Sequence, residues 1–366
     1  MSTIFERKSK TRTMTAIAAV AAATAAGAFS IQTAAADETD HEAAQACSWE
    51  ALPIPEGLRT TQVTGMSDDG SVIAYQALPV VQNGPEDWVN FPHLYAGGEA
   101  TEVRMPGEYP ELLDVNSAEV AVGLSYVDSA YVPYVWRDGE LDVLPSAGSA
   151  QARGINEDGD IVGVDQRRPV LWPADGSGPV ELPLPDGAES GTAHDIGYDG
   201  TVVGAVYDEN GTAKAYTWRP DASGDHVGGE LPLPPAADPA DHWTGIAWDI
   251  NGDWASGHFY SPGTGSRAQG IRWNLADGTA EMTELNRQVA VSADGTVAGY
   301  HPDTDNAAYQ DGDTVVELPG VDSDVDLPRD VAVEISADGS LIAGNLYVRQ
   351  DADGSYVQNA VIWTCE

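Results

Sequence analysis

The stretch Gly154-Ile-Asn-Glu-Asp-Gly-Asp-Ile-Val-Gly163 contains the unit from which this sequence is built. It joins an apolar strand end, a polar turn that closes on a glycine, and a second apolar strand. An Asx-x-Asp-Gly sequence suits a type I turn followed by a left-handed residue, a conformation that glycine adopts at little cost. The stretch therefore predicts a tight β-hairpin. A calcium loop is the alternative, and it is disfavoured because the longer acidic ligand series is absent.

Copies of this unit recur along the chain, and their turn positions are separated by about 45 residues, a period typical of four-stranded propeller blades. One copy, at Glu119, lacks the turn glycine. The sequence predicts an all-β fold, a single seven-bladed β-propeller of four-stranded blades. The turn positions are Gly70, Glu119, Gly159, Gly200, Gly252, Gly295 and Gly339.

The second half of each repeat has an aromatic strand end, a short turn and a strand that ends in Leu-Pro. We name the four strands of a blade a to d, so that the a-b hairpin carries the Asp-Gly turn and strand c carries the aromatic residue. The strand-c tryptophans are expected in the core. Examples are Trp136 before Leu144-Pro145, Trp172 before Leu182-Pro183, and Trp218 before Leu231-Pro232.

The two ends of the repeat region complement each other. The last repeat stops at Trp363-Thr-Cys365-Glu366 and has a strand c without a strand d, whereas Cys47-Ser-Trp-Glu-Ala-Leu52-Pro53 has the form of a strand d. Aligned with an intact hairpin, Cys47 and Cys365 occupy adjacent positions. We therefore expect the N-terminal strand to complete the closing blade, with a Cys47–Cys365 disulfide in place of the missing turn.

The charge balance and the first residues predict an exported protein. The 366 residues carry 17 Lys and Arg against 58 Asp and Glu, a net charge of -41. This charge excludes sequence-independent binding to nucleic acid or anionic lipid, which needs clustered cations. A basic start, the apolar run Ala16–Phe29 and Ala34-Ala35-Ala36 predict a signal peptide over residues 1–36, an acidic and Ala-rich spacer over 37–46, and the propeller over 47–366. Lipidation at Cys47 is disfavoured because the residue lies far beyond the apolar run, so we expect a secreted protein that does not insert into a membrane.

The blade pattern G-I-N-x-x-G-x-V-V-G, followed by an aromatic strand and a Leu-rich strand, resembles the HAF-repeat family of probable extracellular repeat proteins. The Gly154–Gly163 stretch is the best copy, and similar repeats cover residues 60–366. The namesake His-Ala-Phe is missing, with Lys214-Ala-Tyr216 at a comparable place. The resemblance implies a secreted propeller and supplies no catalytic residues.

Ligand-binding candidates come from the b-c and d-a loops, which share the face opposite the a-b turns. Function often sits on variable loops of a rigid scaffold. An aromatic ring flanked by carboxylates can bind a sugar, although these tryptophans could instead cover gaps between blades. The candidates are Asp87, Trp88, His242, Trp243, Arg167 and Arg168.

A weaker candidate is a Ca²⁺ site at Asp322, Asp324 and Asp326. On an extended segment these alternating side chains share a face, where loop oxygens could complete a coordination sphere. The alternative, a solvated acidic loop, is favoured because a turn glycine and a distal glutamate are missing. No other cofactor is expected.

The motifs favour binding over catalysis. The sialidase Asp-box spacing, the G-x-S-x-G nucleophile elbow, zinc motifs and phosphate loops do not occur in the sequence. We therefore predict a non-catalytic module that binds a cell-surface glycan or a secreted partner protein. The Arg-over-Lys, Ala-rich character looks actinobacterial, and secreted single propellers there resemble the lectin-like subunits of umbrella-shaped toxin particles. The alternatives are a glycan-cleaving hydrolase that uses carboxylates of the central funnel, and a mainly structural role.

Overall fold

The fold is described from a computed structural model, which covers residues 47–79, 89–235, 244–260 and 268–365, with no side-chain description for 287–289. The predicted signal peptide and spacer lie outside the described residues. All regular elements in the described ranges are β-strands. In the part of the chain that is described, no helix has the length and apolar character needed to cross a membrane.

The strands form six antiparallel sheets, which we number in chain order. Sheet 1 contains β2 (Leu58–Met66), β3 (Val72–Pro79), β4 (Phe91–Ala96) and β5 (Glu99–Glu102). Sheet 2 contains β6 (Glu108–Val115), β7 (Ala121–Val127), β8 (Ala130–Arg137) and β9 (Glu140–Val143). Sheet 3 contains β10 (Ala150–Ile155), β11 (Ile161–Asp165), β12 (Arg168–Trp172) and β13 (Val180–Glu181).

Sheet 4 contains β14 (Ser190–Ile196), β15 (Val202–Tyr207), β16 (Ala213–Pro220) and β17 (His226–Glu230). Sheet 5 has seven strands: β18 (Thr244–Asn251), β19 (Trp254–Tyr260), β20 (Gln269–Asn274), β21 (Thr279–Val291), β22 (Val297–Tyr300), β23 (Ala307–Asp311) and β24 (Thr314–Glu317). Sheet 6 contains β25 (Val331–Ile335), β26 (Leu341–Gln350), β27 (Tyr356–Cys365) and β1 (Cys47–Ala51).

The predicted Asp-Gly hairpins are confirmed between the first two strands of the repeats. In sheet 3 the N–H of Gly159 donates to the carbonyl of Asn156 at 3.0 Å, and Gly159 has a φ of 89°. The degenerate copy keeps the same turn, because Glu119 takes the left-handed conformation with a φ of 57°. The hairpin therefore keeps its conformation although this copy has no glycine at the turn.

The predicted closing sheet is confirmed. Strand β1 pairs with β27 in a register that places Cys47 directly opposite Cys365. The two cysteines form a disulfide with a Cα–Cα distance of 4.1 Å and a sequence separation of 318 residues. The first described strand thus completes the sheet that contains the last one.

Sheet 5 departs from the prediction of separate four-stranded blades. Its strand β21 pairs with β20 over the first half of its length and with β22 over the second half. The d strands of sheets 2, 3, 4 and 6 end in Leu-Pro, and proline removes the backbone N–H that a continuing strand needs. Here Leu285 is followed by Asn286, so the strand runs on without interruption.

Neighbouring sheets are joined by the strand-c tryptophans. The indole N–H of Trp218 donates to the carbonyl of Pro183, at the end of the last strand of the preceding sheet. Trp218 is fully buried, and it packs in one cluster with Leu182 of that preceding sheet. The same bond recurs at four places: Trp172 to Pro145 at 2.7 Å, Trp218 to Pro183 at 2.7 Å, Trp273 to Pro232 at 2.8 Å and Trp363 to Pro319 at 2.9 Å.

The last sheet packs against the first. Ala343 and Ala360 of sheet 6 share a hydrophobic cluster with Ile73 and Tyr75 of sheet 1. The Tyr75 hydroxyl donates to the carbonyl of Pro53, which follows the closing strand, at 3.1 Å. The sheets therefore follow one another around a centre, and the last sheet meets the first. Exposed sheet edges promote aggregation, and this closure avoids one.

We expect the disulfide to contribute strongly to stability, because it constrains a very long loop in the unfolded chain. Loop-entropy reasoning gives about 5–6 kcal/mol, an upper figure for such a cross-link. Reduction should therefore lower the melting temperature, measured by circular dichroism, by at least several degrees. The double variant Cys47→Ser/Cys365→Ser is the control and should melt at the reduced protein's temperature with or without reductant. Equal melting of the oxidised and reduced protein would contradict this prediction.

Candidate functional site

The first strand of each sheet has a β-bulge close to its a-b turn. A bulge inserts one residue and re-aims the side chains around it. In sheet 4, for example, the register shifts between Ala193 and Asp195, which leaves His194 as the inserted residue. The equivalent inserted residues in the described strands are Thr64, Leu113, Arg153, His194, Trp248 and Val333.

All of these inserted residues except Thr64 line one cavity of about 250 Å³. Because its walls come from the first strands of sheets 1 to 6, the cavity is the central channel around which the sheets are arranged. Its lining combines a cation, an imidazole, an indole and several acids. The groups used below are Arg153, His194, Trp248, Asp114, Asp195, Asp249 and Glu334.

Three channel aspartates tie neighbouring sheets together. The Asp114 carboxylate accepts the N–H of Val115 on its own strand and the N–H of Ile155 on the next sheet, both at 2.8 Å. This arrangement satisfies two backbone donors with one side chain. It recurs where Asp195 accepts from Ile196 and Ile250 at 2.7 and 2.9 Å, and where Asp249 accepts from Val291 at 2.6 Å.

Glycine occupies the same position in two of the other sheets. A Cβ on Gly154 would lie 2.8 Å from the Asp195 Cα and 2.9 Å from the carbonyl oxygen of His194. A Cβ on Gly65 would lie 2.8 Å from the Asp114 Cα. The glycines thus allow the first strand of the following sheet to approach closely.

The acids do not all carry a charge at neutral pH. The Asp195 and Asp249 carboxyls hydrogen-bond to each other, and burial followed by the charge of Asp195 raises the pKa of Asp249 well above its usual value. Burial, with the charges of Asp195 and Asp68, raises the pKa of Glu334 to about 8. Among the described residues, no group donates a hydrogen bond to the Glu334 carboxyl. Asp195 and Asp249 therefore share a proton, and Glu334 holds its own.

The a-b turns narrow one end of the channel. The Asn251 side-chain amide donates to the Asp68 carboxylate at 3.0 Å, which joins sheets 5 and 1 across the channel. The Asp68 carbonyl accepts from the N–H of Ala337 at 2.7 Å, and Ala337 in turn accepts from Ala293 at 2.9 Å. Burial, followed by the charge of Asp195, raises the pKa of Asp68 to about 6. A ligand would therefore enter the channel from the opposite face, which carries the b-c and d-a loops.

His194 is the least exposed titratable group of the channel, with 8% of its surface accessible. Its ring lies 4.2 Å from the Trp248 ring, whose indole N–H donates to Nδ1 of His258 at 2.9 Å. The Nε2 atom of His194 has no hydrogen-bond partner. Burial, followed by the charges of Arg153 and His258, lowers the pKa of His194 well below its usual value. His194 is therefore a neutral imidazole with one unused polar atom in the cavity.

Arg153 has a side-chain N–H group without a hydrogen-bond partner. One guanidinium nitrogen, Nη2, donates to Gln151 at 2.7 Å, whereas Nε has no partner and the side chain forms no salt bridge in the described ranges. Burial lowers the pKa of Arg153, and the charges of Tyr207 and Glu111 oppose this effect. Arg153 thus contributes a partly buried positive charge that no carboxylate contacts directly.

Of the six ligand-binding residues suggested by the sequence, the structure describes only Arg167 and Arg168. Asp87, Trp88, His242 and Trp243 lie outside the described residues. Arg167 and Arg168 are at the hairpin between β11 and β12 and do not line the channel. The Arg168 side chain pairs with Glu181 at 2.7 Å, and Arg167 donates to the Ser190 hydroxyl at 3.3 Å.

The three aspartates suggested for Ca²⁺, Asp322, Asp324 and Asp326, are exposed in the segment between β24 and β25. They line a surface groove of about 620 Å³ together with Glu317 and Asp330. In the described portions of the chain, no three acidic, His or Cys side chains are grouped closely enough to hold a metal ion. The Ca²⁺ site stays a prediction from the sequence.

The channel residues were not among the candidates that the sequence suggested. A signal was nevertheless present. A polar or aromatic residue stands directly before Gly154, Asp195 and Asp249 at one position of the repeat, where an alternating strand would carry an apolar side chain. Charges at one register position of successive blades mark the wall of a channel.

The structure resembles two solved hydrolases. One is a Mycobacterium tuberculosis puromycin-hydrolyzing peptidase, with a TM-score of 0.52 and 14% identity over 85% of this chain and 54% of that one. The other is a puromycin hydrolase, with a TM-score of 0.54 and 14% identity over 87% of this chain and 55% of that one. The fold is a β-propeller. The chain spans just over half the length of each structure, and no family model and no curated protein sequence matches it.

We expect Glu334→Gln to stabilise the propeller at alkaline pH. The folded-state pKa of Glu334 is about 8 against an ordinary 4.5, so its contribution to stability is lost as pH rises between these values. Glutamine is neutral at every pH and avoids this loss. The variant should melt higher than the parent at pH 8.5, by roughly 2–4 °C per kcal/mol relieved, and the difference should vanish near pH 4.5. Glu99→Gln on exposed β5 is the control, and an equal effect there would refute the assignment.

We expect Gly154→Ala to destabilise the protein, because its Cβ would collide with backbone atoms of the next sheet. Overpacking of this kind costs roughly 1–3 kcal/mol. Urea unfolding should show a lower midpoint than for the parent. Gly229→Ala is the matched control, since nothing lies within 4 Å of its Cβ position. A similar midpoint for the two variants would mean that the sheets can move apart at Gly154 without cost.

Proposed function

We propose that this chain is a secreted, non-catalytic binding module whose central channel takes a polar group of its ligand, presented by a glycan or a partner protein. One observation carries the proposal: the cavity is lined by His194, whose buried Nε2 atom has no hydrogen-bond partner in the described residues. Buried polar atoms in folded proteins are nearly always hydrogen-bonded. A ligand in the channel would supply the missing partner.

We also propose that the propeller has seven blades. Five sheets have four strands, and sheet 5 has seven. If the long strand β21 is the last strand of one blade and the first strand of the next, sheet 5 represents two blades. Support comes from its pairing, which changes from β20 to β22 along its length, and from the Ala290–Ala298 pair, which occupies the place of the Asp249–Ser256 pair. Membership of the HAF-repeat family stays a prediction from the repeat pattern.

Export is supported by the disulfide between Cys47 and Cys365. Disulfides form and persist mainly in oxidising compartments, outside the cytosol. No free cysteine occurs in the described residues. Together with the apolar, alanine-rich start of the sequence, this pairing supports a protein that acts outside the cell.

Binding is favoured over catalysis because the acids of the channel already accept structural hydrogen bonds. The carboxylates of Asp114, Asp195 and Asp249 accept backbone N–H groups that hold neighbouring sheets together. Moving such a group toward a substrate would break contacts on which the channel depends. His194 is a poor general base because its pKa lies well below the usual value. The site is built to bind a ligand, with few groups free for chemistry.

A hydrolase is the second candidate, and one observation favours it. Asp195 and Asp249 share a proton, and Glu334 has a pKa of about 8. Pairs of carboxyls with separated pKa values are used for acid and base steps in glycoside hydrolysis. Turnover of a glycan or ester panel that is lost in Glu334→Gln would support this candidate.

We expect the natural ligand to depend on the channel and not on the outer arginines. Affinity purification from culture supernatant, followed by glycan-array screening, should identify the ligand and show whether the chain is free or part of a larger particle. Binding should fall by about tenfold or more, as one lost hydrogen bond to a buried group implies, in Arg153→Gln and His194→Gln. Arg168→Gln, with its side chain on the surface, should bind normally.

These variants also define the contrary result. Melting temperatures would first confirm that the channel variants fold. Ligand binding that survives both channel substitutions would place recognition on the loop face. Catalytic turnover in the parent would replace the binding proposal with the hydrolase.

A further inference from the structure

We propose that the group bound in the channel is a primary ammonium with an adjacent hydrogen-bond acceptor, held by Glu334 and His194 and flanked by Arg153. This inference rests on the proposed binding function and names the chemistry that the same site recognises. An amino terminus of a peptide and an amino sugar both present these two groups. The experiment below distinguishes the two sources.

The acidic side of the cavity is suited to an ammonium. Asp195 and Asp249 have each used carboxylate oxygens on backbone donors, whereas the Glu334 carboxyl has no hydrogen-bond donor in the described residues. An ammonium provides three donors and a positive charge in one small group. It would satisfy Glu334 and balance the negative charge that Asp195 and Asp249 retain together.

His194 supplies the second, independent contact. Its side chain is more than nine-tenths buried, it lines the cavity, and its Nε2 atom has no partner. Because the imidazole is neutral, it can accept a hydrogen bond from an ammonium. The Trp248 ring beside it also lines the cavity, and an aromatic face attracts a cation.

Arg153 defines the rest of the ligand group. Its unpartnered Nε–H calls for an acceptor, and the neighbouring His194 faces the same cavity. The first carbonyl oxygen of a peptide, or a hydroxyl beside the amine of an amino sugar, lies at a suitable separation from an ammonium. A ligand that carries both an ammonium and an acceptor would be oriented by the positive charge of Arg153 and the acids of the channel.

The size of the cavity and the charge of the protein limit which ligands can enter the channel. The cavity volume of about 250 Å³ is smaller than the roughly 300–1,000 Å³ of pockets for drug-sized ligands. Only one residue or one sugar ring fits, so a larger ligand would insert its end. The net charge of -41 raises the local concentration of cations around the protein and favours the approach of an amine.

Binding of the ammonium should release a proton. Glu334 is protonated at neutral pH in the free channel, and a neighbouring positive charge favours the ionised carboxylate. The proton passes to the buffer, and the carboxylate then pairs with the ammonium. Calorimetry in buffers of different ionisation enthalpy reports this release directly.

We would titrate the purified protein at pH 7 with four probes: glycinamide, N-acetylglycinamide, glucosamine and N-acetylglucosamine. The two amines should bind, with a proton released, and acetylation should weaken binding by about tenfold or more because the charged donor is lost. Tighter binding of glycinamide would identify a peptide amino terminus, and tighter binding of glucosamine an amino sugar. Equal binding of amines and their acetylated forms, or no binding of either amine, would overturn the proposal.

Variants distinguish the ammonium proposal from the broader proposal that the channel binds a ligand. Glu334→Gln should weaken amine binding by about tenfold and abolish the buffer dependence, while Glu99→Gln on exposed β5 should change neither. Because Glu334→Gln should be at least as stable as the parent, its loss of binding could not be attributed to misfolding. If the natural ligand proves to lack an amine but still depends on His194 and Arg153, the ammonium proposal fails and the binding function stands. If binding of the natural ligand depends on none of Glu334, His194 and Arg153, the ammonium proposal and the proposed binding function both fail.

Discussion

The hydrogen bond from a strand-c indole to the proline carbonyl of the preceding sheet is the contact on which the rest of the structure depends. A four-stranded sheet cannot bury two apolar faces alone, so each sheet needs its neighbours. Trp218 and Trp363, both fully buried, fill the space between sheets while their N–H groups reach Pro183 and Pro319. A buried indole needs such a partner. The repeated Trp and Leu-Pro elements are therefore two halves of one contact, made between successive repeats.

The same inter-sheet packing creates the channel. Each first strand must lie close to the next, and the bulges turn Asp114, Asp195 and Asp249 toward backbone donors across the boundary. Taking a carboxyl from water is costly unless its hydrogen bonds are replaced. These aspartates replace theirs with backbone N–H groups and, between Asp195 and Asp249, with a shared proton. Burial, with the charges of Asp195 and Asp68, raises the pKa of Glu334 to about 8. The channel therefore combines aspartates that join sheets with polar groups that have no partner.

Features that depend on local chemistry could be predicted from the sequence. The hairpin at Gly159 follows from its turn residues, and the Cys47–Cys365 pair follows from a missing strand at one end and a spare strand at the other. Features that depend on register could not. One inserted residue moves His194 into the channel, and the absence of proline after Leu285 lets β21 serve two neighbours. The register of strand pairing decides the first, and the turn residues do not encode it, whereas the missing proline is a local signal for the second.

The distribution of satisfied and unsatisfied groups argues for a ligand more strongly than the number of acids does. A channel needed only for structure would pair its polar groups, as the turns around Asp68 and Asn251 do. In the same cavity, by contrast, a neutral imidazole and a guanidinium nitrogen lack partners, and no described group donates a hydrogen bond to the Glu334 carboxyl. Each has a cost in the free protein, and each could be relieved by the same small cationic group. A site that is destabilised when empty and complementary when filled is preorganised for binding.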